Sequence, residues 1–158
     1  MMPNDQNQSS TFCRTTNEYA DFKQMVNALD EDLLIRNGET QHLYHQYNKI
    51  DHINHAMVVY AGIKPVGCGC FKRSDDETVE IKRMFVLPEM RGKQLAAQLL
   101  QELEQWAIEE GFTKSVLETG VRQVEAIRLY TVAGYVRTEN YGQYFGMEDS
   151  ICYRKELI

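Results

Sequence analysis

A chain of 158 residues can close one hydrophobic core without disulfide or metal support, and 43% hydrophobic with 25% charged residues fits a soluble globular domain, excluding a disordered chain or a fibre. The formal net charge of -6 argues against a nucleic-acid partner, which needs clustered Lys and Arg, and mildly favours a cationic substrate. No apolar run reaches bilayer-spanning length, and the start MMPNDQNQSS lacks a basic region followed by an apolar stretch, so no membrane association is expected and the cytoplasm is the expected location.

Residues 1 to about 10 are polar without an apolar period and read as a frayed tail, leaving 11–158 as a single domain. From Asn17 to Leu34, Phe22, Met25, Val26, Leu29 and Leu33 fall at helical spacing, and a second helix is predicted from Gln41 to about Asp51. His55 to Tyr60 reads as a buried strand, Gly62 to Pro65 as a turn, and Val66 to Lys72 as the hairpin partner. A third strand spans roughly Thr78 to Leu87 and ends at Pro88. From Arg91 to Glu110, Leu95, Leu99, Leu103 and Trp106 mark one face of a long helix closed by Gly111.

Lys114 to Thr119 gives a further strand, followed by a helix from about Gln123 to Ala133 that Gly134 ends. Tyr135 to about Glu139 and Ser150 to about Glu156 are the last strands, joined by a Tyr- and Gly-rich loop over 140–149. This order predicts an α/β domain with a mixed sheet. Cys13, Cys68, Cys70 and Cys152 form no C-x-x-C pair and have no His at ligand spacing, which predicts buried free thiols, no disulfide and no metal.

The chemistry concentrates at Val86-Leu-Pro-Glu-Met-Arg-Gly-Lys-Gln-Leu-Ala96, where a strand runs into a helix. A helix N-terminus offers unpaired N–H groups and a positive dipole end to a pyrophosphate; Gly92 permits close approach, and Arg91 and Lys93 add charge. Two solvated basic residues at a helix start are the plain alternative. His42, His45, His52 and His55 cluster in the second predicted helix and its exit. Tyr141, Tyr144 and Phe145 suit either an aromatic acceptor wall or hairpin packing.

That segment resembles motif A of the GNAT acetyltransferase superfamily, R/Q-x-x-G-x-G/A, and Gln123-Val-Glu-Ala-Ile-Arg-Leu-Tyr-Thr-Val-Ala-Gly-Tyr135 resembles its motif B. Members carrying E-I-K-R-M-[FY]-V and L-E-T-G are similar over nearly the whole chain. The resemblance implies the acyl-CoA N-acyltransferase fold, about six to seven strands flanked by about four helices, with acetyl-CoA as cosubstrate and a small-molecule or peptide amine as acceptor. A homodimer is an open alternative to a monomer.

It further implies that Phe85 and Val86 offer backbone groups to the pantetheine arm, that amides of Arg91, Gly92, Lys93, Gln94, Leu95 and Ala96 cradle the pyrophosphate, and that Tyr130 sits by the sulfur as the acid. Gln94 stands where the motif has its first glycine, and Gln123 where many members place Asn. Helical backbone is expected at Gln94. Glu80 is the candidate general base, with a solvated carboxylate paired to Lys82 or Arg83 as its rival reading; Glu118 could bind an ammonium group or make a structural salt bridge. Tyr130 could equally be a core aromatic.

The expected reaction is direct attack of a primary amine on the thioester, with a backbone N–H near Val86 steadying the oxyanion and no acyl-enzyme, because no cysteine sits in a nucleophile arrangement. A non-catalytic acyl-CoA sensor of the same fold is the alternative, and Gln94 and Gln123 are its support.

Overall fold

The computed structural model describes residues 9–37 and 53–158. Strand β1 (Ser10–Thr15) leads to helix α1 (Ala20–Asn37), then β2 (His55–Ala61), β3 (Lys64–Arg73) and β4 (Thr78–Val86). Helix α2 (Leu95–Glu109), β5 (Lys114–Gly120), α3 (Val124–Val132), β6 (Val136–Thr138) and β7 (Ser150–Glu156) complete it. The helix predicted over 41–51, with His42, His45 and His52, lies outside the described residues.

The seven strands form one sheet in the order β1-β2-β3-β4-β5-β7-β6, in which the β4–β5 pair is parallel and the others antiparallel. This is the mixed α/β sheet expected from the element order. β1 pairs along its length with β2, from Ser10↔Ala61 to Thr15↔Ala56. This strand has no signal in the sequence, because Ser-Thr-Phe-Cys-Arg-Thr is an edge strand with no buried residue and no clear alternation.

The helices divide between the faces. Phe22, Met25 and Leu29 of α1 pack on Ala56, Val58, Cys68, Cys70 and Phe85. Leu95, Leu99, Leu100, Leu103 and Trp106 of α2, with Tyr130 of α3, pack on Met57, Val79, Ile81, Leu117, Ile151 and Tyr153. Each face buries alternate residues of the same strands, as the two-residue period of a strand requires. Cys68, Cys70 and Cys152 are buried free thiols, and the first two donate to the carbonyls of Arg83 and Lys82 at 3.3 Å.

Two departures from a regular sheet shape the site. Cys70 pairs with Lys82 but Cys68 with Phe85, so β4 carries one extra residue, and Arg83 takes up the bulge with φ +58. The bulge points both Lys82 and Arg83 toward α1, where Arg83 Nη1 donates to Asp30 Oδ1 at 2.6 Å. The second departure is that parallel pairing of β4 and β5 runs from Thr78↔Lys114 only to Ile81↔Leu117. Beyond it the strands diverge and open a gap through the sheet.

Candidate active site

The gap is lined from β4 by Glu80, Lys82 and Met84, from β5 by Glu118 and Gly120, and from α3 by Gln123 and Tyr130. Parity assigns its two mouths. Glu80 pairs with Val116, so Glu80, Lys82 and Glu118 share the α1 face, whereas Tyr130 approaches from the α2–α3 face. The gap therefore joins a charged mouth to one on the α2–α3 face, where Ala126 and Tyr130 of α3 line it.

At the α2–α3 mouth, Leu87 N–H bonds Val66 O at 2.9 Å, and the Phe85 carbonyl points at β3, where a Cβ on Gly67 would meet it at 2.8 Å. Alternation then turns the N–H and C=O of Val86 away from β3, to the side where β5 has parted from β4. Of the two residues expected to offer backbone groups there, Val86 is oriented to do so and Phe85 is turned to its neighbouring strand.

The helix expected to begin at Arg91 begins at Leu95. Pro88–Met90 forms a 3-10 turn, Arg91 is extended, Gly92 has φ +83, and Gln94 is the N-cap. The proline and the positive φ at Gly92 stop an earlier start. Gln94 is not helical as expected but left-handed, with φ +62 and ψ +17, a conformation that costs a β-substituted residue about 1–2 kcal/mol. Its side chain makes no cap bond, so the first-turn N–H groups of α2, including those of Leu95 and Ala96, have no side-chain cap. A Cβ at Gly92 would meet open space. Such a left-handed turn into an uncapped helix is an anion-binding concavity.

Gln94→Gly should relieve the strain without touching that concavity. We expect an increase of about 1 kcal/mol in stability, a melting temperature roughly 2–4 °C higher in differential scanning calorimetry; an unchanged or lower value would mean the glutamine side chain contributes as much as its backbone costs.

The basic residues of the loop behave differently from one another. Arg91 Nε donates to Val86 O at 3.0 Å, its guanidinium lies 5.7 Å from the centre of the Phe85 ring, and Nη2 is 3.6 Å from Asp32 Oδ2 on α1. It thus turns inward, along the backbone the gap exposes. Lys93 is exposed. Gln123, the N-cap of α3, makes no side-chain cap bond and lines the gap.

At the α1 mouth, Glu80 is almost fully buried, accepts a 2.7 Å hydrogen bond from Tyr141 Oη, and holds Lys72 Nζ at 3.6 Å and Lys82 Nζ at 3.8 Å. Glu118 accepts one 3.2 Å bond from Ser150 Oγ on β7. Burial pushes its carboxyl up to about 7, against the Ser150 hydrogen bond and the Lys82 charge. Burial also lowers Lys82, opposed by Glu80.

Tyr130 stacks edge-on against Tyr135 at 5.8 Å and lies 6.4 Å from Tyr153. Burial first, then the Glu118 charge, raises its phenol, which stays protonated throughout the working pH range. The 140–149 loop is ordered by Asn140 Nδ2, which donates to Met147 O and Ser150 O at 3.0 Å each. It places Tyr144, buried, edge-on to Tyr141 at 5.7 Å and turns Phe145 outward, 82% exposed. Tyr141 and Tyr144 thus stand against the two carboxylates of the α1 mouth.

Glu80, Glu118, Tyr130, Tyr144 and Gln123 line one gap; Tyr141 reaches it through its bond to Glu80, and the Val86 backbone, with Arg91 on its carbonyl, lies farther along β4 outside the lining. His55 stands at the other end of α2, stacked on Phe71 at 4.6 Å and 3.4 Å from Glu110. Sequence reading missed Lys82, Ser150 and Cys152 as site residues. The two-residue spacing of Glu80 and Lys82 was the available signal for the first; Ser150 and Cys152 depend on the β5–β7 register, Glu118↔Cys152, which no local pattern reveals. Among the described residues no group of three or more His, Cys, Asp or Glu could hold a metal, and no helix is long and apolar enough to cross a membrane.

The acetyltransferase (GNAT) family matches residues 22–135. An IAA acetyltransferase of Azospirillum brasilense is 39% identical over 80 residues, 50% of this chain and 52% of that protein. The uncharacterised N-acetyltransferase YjgM of Escherichia coli is 32% identical over 108 residues, 67% of this chain and 64% of that protein. The chain spans about half the length of the curated relatives it matches. A solved Klebsiella pneumoniae chain described as an acyl-CoA N-acyltransferase superposes with a TM-score of 0.80 at 27% identity, covering 96% of this chain and 100% of that one. A GNAT acetyltransferase of Elizabethkingia anophelis, solved with acetyl-CoA bound, shares the fold at a TM-score of 0.66 and 17% identity, covering 93% and 97%. The split β4–β5 pair, the uncapped start of α2 and a family match running from α1 to the end of α3 lead to one assignment: the chain belongs to the GNAT family of acetyltransferases.

Proposed function

We propose that the chain is an acetyl-CoA-dependent N-acetyltransferase acting on a primary amine of a small molecule or peptide, by direct attack within a ternary complex. The observation that carries this reading is the gap beyond Ile81↔Leu117, lined by Glu80, Glu118 and Tyr144 on one side and Tyr130 on the other, with the turned-out Val86 backbone and the uncapped start of α2 following on the same strand-to-helix connection. Donor and acceptor enter from opposite faces and meet between β4 and β5.

The residues fit a pantetheine-linked diphosphate. The uncapped amides of α2 and the open Gly92 suit the pyrophosphate, Val86 suits the pantetheine amide and then the oxyanion, and Arg91 is in reach of both. Gln123, which lines the gap, would flank the arm. When bound, acetyl-CoA supplies an activated acyl group and a thiol leaving group. Tyr130 holds a proton for the departing sulfur, and Tyr141 and Tyr144 exclude water from the acceptor side.

A sensor of the same fold would need the cofactor loop but no proton carriers at the acceptor mouth. The buried Glu118 and the Tyr130 phenol favour catalysis. The test is thiol release from acetyl-CoA across a panel of amines: release that depends on amine is expected, and cofactor binding with no release on any amine would sink the reading.

A further inference from the structure

We propose that Glu118 on β5, rather than Glu80 on β4, is the group that takes the proton from the incoming amine. This rests on the acetyltransferase reading above. Three geometrical observations carry it.

Glu118 is the first residue of β5 past the last parallel pair, so its side chain stands where the strands part and the two mouths meet. The 3.2 Å contact from Ser150 Oγ to Oε1 is its only hydrogen bond among the described residues, which leaves its second oxygen for a substrate. Glu80, in contrast, is anchored through both oxygens: Oε2 by Tyr141, Oε1 by Lys72 and Lys82. A carboxylate set against two ammonium groups and a phenol holds neighbours in place; taking a proton there would forfeit both ion pairs.

The groups that face Glu118 are Glu80 and Lys82 from β4, Ser150 and Cys152 from β7, Tyr144 from the loop before β7 and Tyr130 from α3. Among them, Lys82 and Ser150 favour the carboxylate, and burial with Glu80 favours the acid; the balance near 7 suits a base that must accept and return a proton at neutral pH. Cys152, raised to about 11 mainly by burial, stays a thiol beside it.

The proton balance closes. Glu118 takes one proton from the ammonium group. The free amine attacks the thioester carbon, the carbon–nitrogen bond forms, and the carbon–sulfur bond breaks with its electron pair on sulfur. Tyr130 gives the sulfur its proton and recovers one from the nitrogen, while Glu118 returns its own to solvent. The two groups are coupled: the Glu118 charge holds the Tyr130 proton, so protonating Glu118 makes Tyr130 a better acid just before the sulfur leaves.

The experiment is the pH profile of kcat/KM with an amine that the wild type acetylates, beside unfolding curves over the same pH range. Wild type should show an acid limb near pH 7. Glu118→Gln should lose that limb, fall about a hundredfold at neutral pH, and recover as the amine deprotonates on its own. Glu80→Gln should keep an acid limb, displaced downward because the Glu80 charge raises Glu118. Ser150→Ala should keep the limb and move it upward, since the lost hydrogen bond favours the carboxylate.

Unfolding gives a readout that needs no acceptor. A carboxyl raised in the folded state binds protons there that the unfolded chain has released, so the Glu118 contribution to wild-type stability is lost as pH rises from about 4.5 to about 7. Glu118→Gln should therefore melt higher than wild type at pH 8, with the difference closing toward pH 4.5. A wild-type limb that survives in Glu118→Gln and disappears in Glu80→Gln overturns the proposal and leaves acetyl transfer standing. No turnover on any amine overturns both.

Discussion

Tyr130→Phe should lower kcat by a factor on the order of 10² while leaving acetyl-CoA affinity and melting temperature near wild type. The ring is held by edge contacts with Tyr135 and by Tyr153, and Phe keeps that packing. The hydroxyl has no hydrogen-bond partner among the described residues, so its removal leaves no buried group orphaned. Its proton is retained at rest by burial and by the Glu118 charge, which makes the hydroxyl useful only when negative charge develops on sulfur. Steady-state kinetics beside a cofactor titration separate the cases. A kcat within about twofold of wild type takes Tyr130 out of the mechanism, and a large loss of stability would show that the hydroxyl is a structural partner.

Arg91→Glu should remove nearly all of the thermal stabilisation by acetyl-CoA. Arg91 spans from the Val86 carbonyl to Asp32 on α1, at the foot of the uncapped helix. Glutamate there loses a charge-assisted contact and sets a negative group beside the phosphates and Asp32. A hundredfold weakening is about 2.7 kcal/mol. At a ligand concentration about 100 times the wild-type Kd, the wild type gains about 2.7 kcal/mol, roughly 5–11 °C for a chain of this size, and the mutant gains under about 0.5 kcal/mol. An unchanged shift would mean that Arg91 remains with α1 when the cofactor binds and that the helix amides alone hold the phosphates.

Most of the frame was legible because it follows hydrophobic period. The stripe Leu95, Leu99, Leu103 and Trp106 buries against the sheet as its spacing required, and Phe22, Met25 and Leu29 do the same on the other face. The hairpin β2–β3 and strands β4, β5 and β7 fall where the sequence puts them. The features that make the site fall elsewhere. Nothing in Glu-Ile-Lys-Arg-Met-Phe-Val announces that Arg83 adopts a left-handed bulge, because an ion pair with Asp30, 53 residues earlier, holds it there. Gln94 is left-handed because Gly92 and the end of the 3-10 turn direct the chain into α2 at that angle, against the residue's own preference. The gap exists because pairing stops after Ile81↔Leu117, a long-range event that leaves no local mark. The choice between Glu80 and Glu118 likewise turns on Tyr141, Lys72 and Ser150, which come together only in the folded sheet.

Direct transfer between substrates that meet in the β4–β5 gap is decided by initial velocities with acetyl-CoA and an accepted amine varied together, and by searching for acetyl on the protein when amine is withheld. Intersecting double-reciprocal lines and no protein-bound acetyl are predicted, in keeping with a Cys152 thiol that burial raises to about 11. Parallel lines with an acetyl group recovered on Cys152 would contradict the account.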